Sequence, residues 1–193
     1  MKKKSTYEIT KSAVKIPLPN TYQKEDYTCG GIAMKSILRY YGIANFTEKG
    51  MEKELNMSKE GTDPWQFINI LKKYGLKFRE YNSMTRQQLI YFMQKHKPVI
   101  VTIQAWAKKI PKTYKDNWKE GHWIIAIGYD KKGFYFEDPS LKDTRGFISY
   151  EEFEDRWHDT GDNDFPEDHY GLVIWGKKAV HKNLKATRVS YIQ

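Results

Sequence analysis

Gln23-Lys24-Glu25-Asp26-Tyr27-Thr28-Cys29-Gly30-Gly31-Ile32-Ala33-Met34 is the stretch on which the fold turns. A polar lead-in gives way here to an apolar helical run, and the chain's single cysteine stands at the junction. From Cys29 to Tyr41 the apolar positions Ile32, Ala33, Ile37, Tyr40 and Tyr41 recur at three- and four-residue spacing, and Gly42 supplies a C-terminal stop. The spacing predicts a helix over 29–41 that crosses the core. A cysteine in the first turn of such a helix feels the positive end of its dipole, which favours thiolate over thiol. Taken alone, Cys29 is equally a small hydrophobe filling a helix start. Gly30 and Gly31 behind it point to something more, because glycine is a poor helix former that lets a substrate approach the backbone closely.

Moving outward, residues 12 to 18, with Pro17 and Pro19 nearby, predict an extended lead-in. Thr47 caps a short helix through Leu55, and Asp63-Pro64 starts another through Tyr74 that ends at Gly75. Trp65, Ile68 and Leu71, with Phe67 and Ile70, are its expected buried side. Thr85 and Gln88 form a capping-box signature for a helix over Arg86 to Lys95. After Pro98 the pattern becomes strand-like: Val99 to Ile103, His122 to Tyr129, Phe134 to Phe136 and Leu172 to Trp175, with Ser149 and Glu152 capping a short helix between strands. A helical first half and a strand-rich second half predict an α+β fold with a largely antiparallel sheet.

The 193 residues suffice for one well-filled core. A formal charge of +9 raises the question of nucleic acid, but its distribution answers it. Residues 1–15 carry five lysines against Glu8, and residues 176–193 carry five basic residues and no acid, which leaves the body neutral. A neutral body with basic ends favours solubility over a nucleic-acid groove, although basic ends add salt-dependent attraction to anionic partners. The expected division is a basic extension over 1–12, a domain over 13–176 and a basic tail over 177–193. Lys108, Lys109, Lys112, Lys115 and Lys119 crowd one loop, while residues 151–168 hold nine acids against Arg156. The two segments either face each other or are independent solvated loops. One cysteine excludes an internal disulfide and a zinc site built on cysteine pairs, so neither metal nor cofactor is expected. No apolar run reaches the roughly 18 to 20 residues of a membrane helix, and cytoplasmic residence is the expectation.

Two further residues join Cys29. His122 opens its strand after Gly121, and Asp138 before Pro139 closes the next, a hairpin distance that brings the two strand ends together. Asp138 alone reads as a turn initiator. Together they supply a base for a cysteine nucleophile and a group to orient that base. The N–H of Cys29 and the side-chain amide of Gln23 are the candidate donors to an oxyanion. Trp106, Trp118 and Trp123 lie on or near the loop before the histidine strand and line a cleft or pack loop bases. Substrate contacts are assigned to Gly30, Gly31, Trp106 and Trp123.

The segment Gln23 to Gly42 resembles the catalytic segment of the bacteriocin-processing cysteine peptidase family, family thirty-nine of the cysteine class, within the papain-like superfamily. Its glutamine, Asp26, Cys29-Gly30, Ala33 and closing Tyr40-Tyr41-Gly42 carry that resemblance. His122-Trp123-Ile124-Ile125-Ala126-Ile127-Gly128 and Glu137-Asp138-Pro139 resemble its histidine strand and aspartate turn, in the same order, over roughly residues 13 to 175. The resemblance implies a papain-like fold with the Cys29 helix packed on the sheet. It also implies Cys29 as nucleophile, His122 as base and later acid, Asp138 as orienter and Gln23 as oxyanion donor. Members that process leader peptides are fused to a membrane transporter, which this sequence lacks, so double-glycine leaders are not the expected substrate. The expectation is a cysteine-dependent hydrolase of peptides or amides. Its alternatives are a transpeptidase or acyltransferase, like the phytochelatin synthases of the same superfamily, and a binding module without turnover.

Overall fold

A computed structural model describes residues 7–11, 13–161, 166–182 and 187–193. Lys2 to Lys4, residue 12 of the lead-in, residues 162–165 of the acidic segment and Lys185 lie outside the described residues.

The predicted helices form where their caps and stops place them. Helix α1, Cys29–Tyr40, follows a 3-10 turn over Asp26–Thr28 and ends at Gly42, whose φ of 65° is the left-handed conformation glycine adopts without strain. Helix α2 is Glu48–Leu55, with the Thr47 hydroxyl accepting from the Gly50 N–H at 3.1 Å. Helix α3, Pro64–Lys73, and helix α4, Arg86–Gln94, each start with a capping box. Helix α5, Tyr150–Arg156, is capped by Ser149.

One side of α3 differs from expectation. Phe67, Ile70 and Leu71 are buried, but Trp65 is 46% exposed. The helix is rotated by Gln66, whose buried amide donates to the Leu55 and Asn56 carbonyls, both at 2.8 Å, and so caps the end of α2.

Eleven strands follow in chain order among the described residues: β1 Tyr7–Glu8, β2 Val14–Lys15, β3 Lys77–Tyr81, β4 Val99–Gln104, β5 Gly121–Tyr129, β6 Gly133–Glu137, β7 Arg145–Ser149, β8 His158–Thr160, β9 Pro166–Asp168, β10 Gly171–Trp175 and β11 Arg188–Tyr191. The main sheet runs β1-β11-β7-β6-β5-β4-β10-β3, and β2 pairs with β5 beyond the end of β4. Its pairings are antiparallel except β11 on β7. β8 and β9 form a separate hairpin. Along β5 the consecutive residues Ile124 to Ile127 are all fully buried, so both faces of the central strand are covered. α1 packs on β5, α4 on β2, β4 and β5, and α5 on β4, β6 and β7. The α+β architecture expected from the sequence is therefore present.

At the chain ends, β1 and β11 are built into the main sheet, and Ile9, Val189 and Ile192 are buried.

Candidate active site

The N-terminus of α1 is held from three directions. The Ser36 hydroxyl donates to the Pro19 carbonyl at 2.7 Å, which straps the lead-in across α1. The Thr28 hydroxyl reaches the Glu25 carbonyl at 2.8 Å and the Glu48 carboxylate at 2.5 Å, tying the 3-10 turn to α2. Gly30 and Gly31 make the third contact possible. A Cβ on Gly30 would stand 2.6 Å from Thr62 Cβ, and one on Gly31 would stand 2.7 Å from Met57 Sδ. Both glycines are buried against protein, so their missing side chains serve close packing of α1 on residues 57–62 rather than approach of a substrate.

Cys29 opens α1 and is 7% exposed. His122 is the second residue of β5, and its Nε2 lies 2.7 Å from Asp138 Oδ1. With Nε2 engaged by Asp138, Nδ1 is the nitrogen left free for a second partner. Burial disfavours the imidazolium, but the Asp138 carboxylate and then Cys29 outweigh it and hold the His122 pKa up at about 10. Cys29, His122 and Asp138 are all buried, and imidazole and carboxylate are hydrogen-bonded to each other.

Asp138 is fully buried and makes contacts on both carboxylate oxygens. Its Oδ1 accepts from the Ser140 N–H at 2.8 Å, which makes the turn, as well as meeting His122. Its Oδ2 accepts from Trp106 Nε1 at 3.3 Å. Trp106 therefore stands beside the carboxylate and not on the cleft wall where the sequence put it. Its backbone is held at a φ of 63°, and its N–H donates to the Gln193 carbonyl at 2.5 Å.

Gln23 lies between the two turns. Its backbone N–H donates to the Pro139 carbonyl at 2.9 Å, linking the lead-in to the Asp138 turn. Its side-chain nitrogen reaches the Glu25 and Asp26 carbonyls at 3.1 and 3.2 Å, while the buried Oε1 has no partner among the described residues. Service as an oxyanion donor therefore requires one N–H to leave those carbonyls.

Two features of the site escaped the sequence. Glu137, fully buried, accepts from the Thr21 N–H at 2.6 Å and pairs with the buried Arg145, which in turn donates to the Leu18 carbonyl at 2.6 Å. This strut locks the lead-in to the hairpin that carries Asp138. Glu137 was visible as the residue before Asp138, but nothing in the sequence paired it with Arg145. The other is a cleft of about 440 Å³ in which Cys29 is reached between Thr62, Trp118, Gly121, Trp123 and Asp159. Trp123 lies in the cleft wall, with Nε1 donating to the Thr62 carbonyl at 2.8 Å. The lysine-rich and acidic segments do face each other: Thr113 bonds Asp155 at 3.3 Å, Arg156 lies 4.1 Å over the Tyr114 ring, and His158 Nε2 lies 2.9 Å from the Asn117 carbonyl.

A cysteine at a helix start, facing a histidine on the central strand of an antiparallel sheet, defines a papain-like cysteine peptidase fold. The sequence matches the model of the Peptidase_C39 like family over residues 15–165, and the chain belongs to that family. Among curated proteins no match is found. A putative C39-like peptidase from Bacillus anthracis superposes with a TM-score of 0.63 at 16% identity, covering 87% of this chain and 99% of that one. The peptidase domain of Streptococcus ComA, a bi-functional ABC transporter involved in quorum sensing, gives 0.58 at 20% identity, covering 84% and 99%. A double glycine motif protease from an AMS/PCAT transporter, in complex with its leader peptide, gives 0.57 at 18%, covering 84% and 94%. These likenesses carry the fold, and the family carries a cysteine peptidase kind of function. No helix among the described residues is long and apolar enough to cross a membrane.

Proposed function

We propose that this chain hydrolyses a peptide or amide through a thioester on Cys29. The carrying observation is the 2.7 Å link between His122 and Asp138, with Cys29 near enough to favour the imidazolium. In the proposed pathway Cys29 attacks as the thiolate beside the His122 imidazolium. The thiolate adds to the substrate carbonyl, and the resulting oxyanion faces the Cys29 N–H, with Gln23 as second donor once one of its N–H groups is released. As the C–N bond breaks, His122 gives its proton to the leaving amine and a thioester remains. Neutral His122 then takes a proton from water, hydroxide displaces sulfur, and acid, thiolate and imidazolium are regenerated. Asp138 keeps Nε2 engaged throughout and stabilises the charged ring.

The leader peptide bound by the PCAT neighbour supports a peptide as the substrate class. A thiolate nucleophile needs a reducing compartment, and cytoplasmic residence is the proposed setting. Wild type and Cys29→Ala are to be screened side by side against a peptide and amide library. Cleavage by the wild type alone is expected, and cleavage that persists in the variant overturns the mechanism.

A further inference from the structure

The cleft that admits substrate to Cys29 differs in charge from the rest of the chain. Asp26, Glu60, Asp63, Asp159 and Glu167 line it against Lys59 and Lys119, on a protein with a net charge of +9. Among these acids Asp159 is held by three hydrogen bonds from β4 and its own turn. Its Oδ1 accepts from Gln104 Nε2 at 3.0 Å and from the Thr160 N–H at 2.9 Å, and its Oδ2 accepts from the Thr102 hydroxyl at 2.9 Å. Thr102 and Gln104 are fully buried on β4, and Gln104 is itself fixed by the Glu120 N–H at 2.8 Å and the His158 carbonyl at 3.1 Å. Three donors leave a carboxylate with acceptor capacity on Oδ2. That oxygen would lie 2.1 Å from a Cβ on Gly121, so only a glycine before His122 leaves it room. Burial raises the Asp159 pKa above the usual carboxylate value, the response of an acid short of a cationic partner.

A second observation points to a ligand in the same cleft. Thr62 is only 7% exposed, and its hydroxyl, beside the first turn of α1, has no partner among the described residues. A buried hydroxyl without a partner is costly unless water or a ligand completes it. The orphaned hydroxyl and the preorganised carboxylate share the cleft with the sulfur that receives the acyl half of a substrate.

We infer that Asp159 is a specificity-determining residue of the Cys29 cleft and that the substrate carries a lysine- or arginine-like cation in its acyl half, within two residues of the scissile carbonyl. This rests on the peptidase function proposed above. The test uses the full chain and peptidyl acyloxymethyl ketones that carry lysine, arginine, norleucine or citrulline at either of the two positions nearest the reactive carbonyl. The rate of Cys29 modification is read by mass spectrometry. At one of those positions the cationic probes are expected to react about tenfold faster than their neutral isosteres, the range of one charge-assisted hydrogen bond. Asp159→Asn brings that ratio to within about twofold, and an unchanged thermal midpoint and circular dichroism spectrum report an intact fold. Neutral probes that react with no cationic preference, or a preference that survives in Asp159→Asn, overturn the inference and leave the peptidase function standing. Failure of every probe to modify Cys29 overturns both.

Discussion

At the scale of single residues the account rests on His122, which is charged because two neighbours prefer it so. Its raised pKa makes a signed prediction for stability. A histidine held at about 10 when folded, against about 6.5 when unfolded, contributes stability that is complete below pH 6.5 and is lost as pH rises toward 10. Thermal midpoints should therefore fall from pH 7 to pH 10 in the wild type, with a shallower slope in His122→Ala. Asp138→Asn should lower peptide turnover by about 100-fold or more, because the amide neither favours the imidazolium nor fixes the ring. Trp106→Phe removes one 3.3 Å donor from the same carboxylate and should cost turnover far less, with the larger part in kcat.

At the scale of elements, what the sequence makes legible depends on whether a local signal names its partner. The start of α1 at Cys29, its stop at Gly42, the Asp63-Pro64 start of α3 and the capping box of α4 were readable because cap, stop and periodicity lie within a few residues of one another. The meeting of His122 and Asp138 was readable because a hairpin joins them. Lys77–Tyr81 and Arg145–Ser149 were not legible as strands, since neither alternates cleanly: the first holds the adjacent charges Arg79 and Glu80, and the second opens on Arg145-Gly146 with Phe147 and Ile148 adjacent. Asp159 was missed as a site residue because its supports, Thr102 and Gln104, lie on a distant strand. The glycines of α1 were read as an opening for substrate, and the structure gives them to packing. Their difference is testable. Gly30→Ala meets the stiff, β-branched Thr62 and should destabilise by about 1–3 kcal/mol in chemical denaturation. Gly31→Ala meets the flexible end of Met57 and gains roughly 1 kcal/mol of helix propensity, so its midpoint should stay near or above wild type.

At the scale of the whole molecule, the site is assembled by long-range ties that run through the sheet and its ends. The Glu137–Arg145 pair binds the lead-in to the aspartate hairpin, and β11 brings the Gln193 carbonyl to the Trp106 N–H beside Asp138. Glu137→Ala leaves a buried guanidinium without its carboxylate and should cost about 3–5 kcal/mol of folding free energy. These ties matter to the chemistry only if the thiol they surround is activated. The most direct measurement is the second-order rate of Cys29 alkylation by iodoacetamide at pH 6.5 in the native wild type, in His122→Ala and in an unstructured cysteine peptide. Activation by His122 predicts a native rate at least about tenfold above the peptide and a His122→Ala rate at or below it. A wild-type rate no faster than the peptide, or one unchanged by loss of His122, would contradict the account.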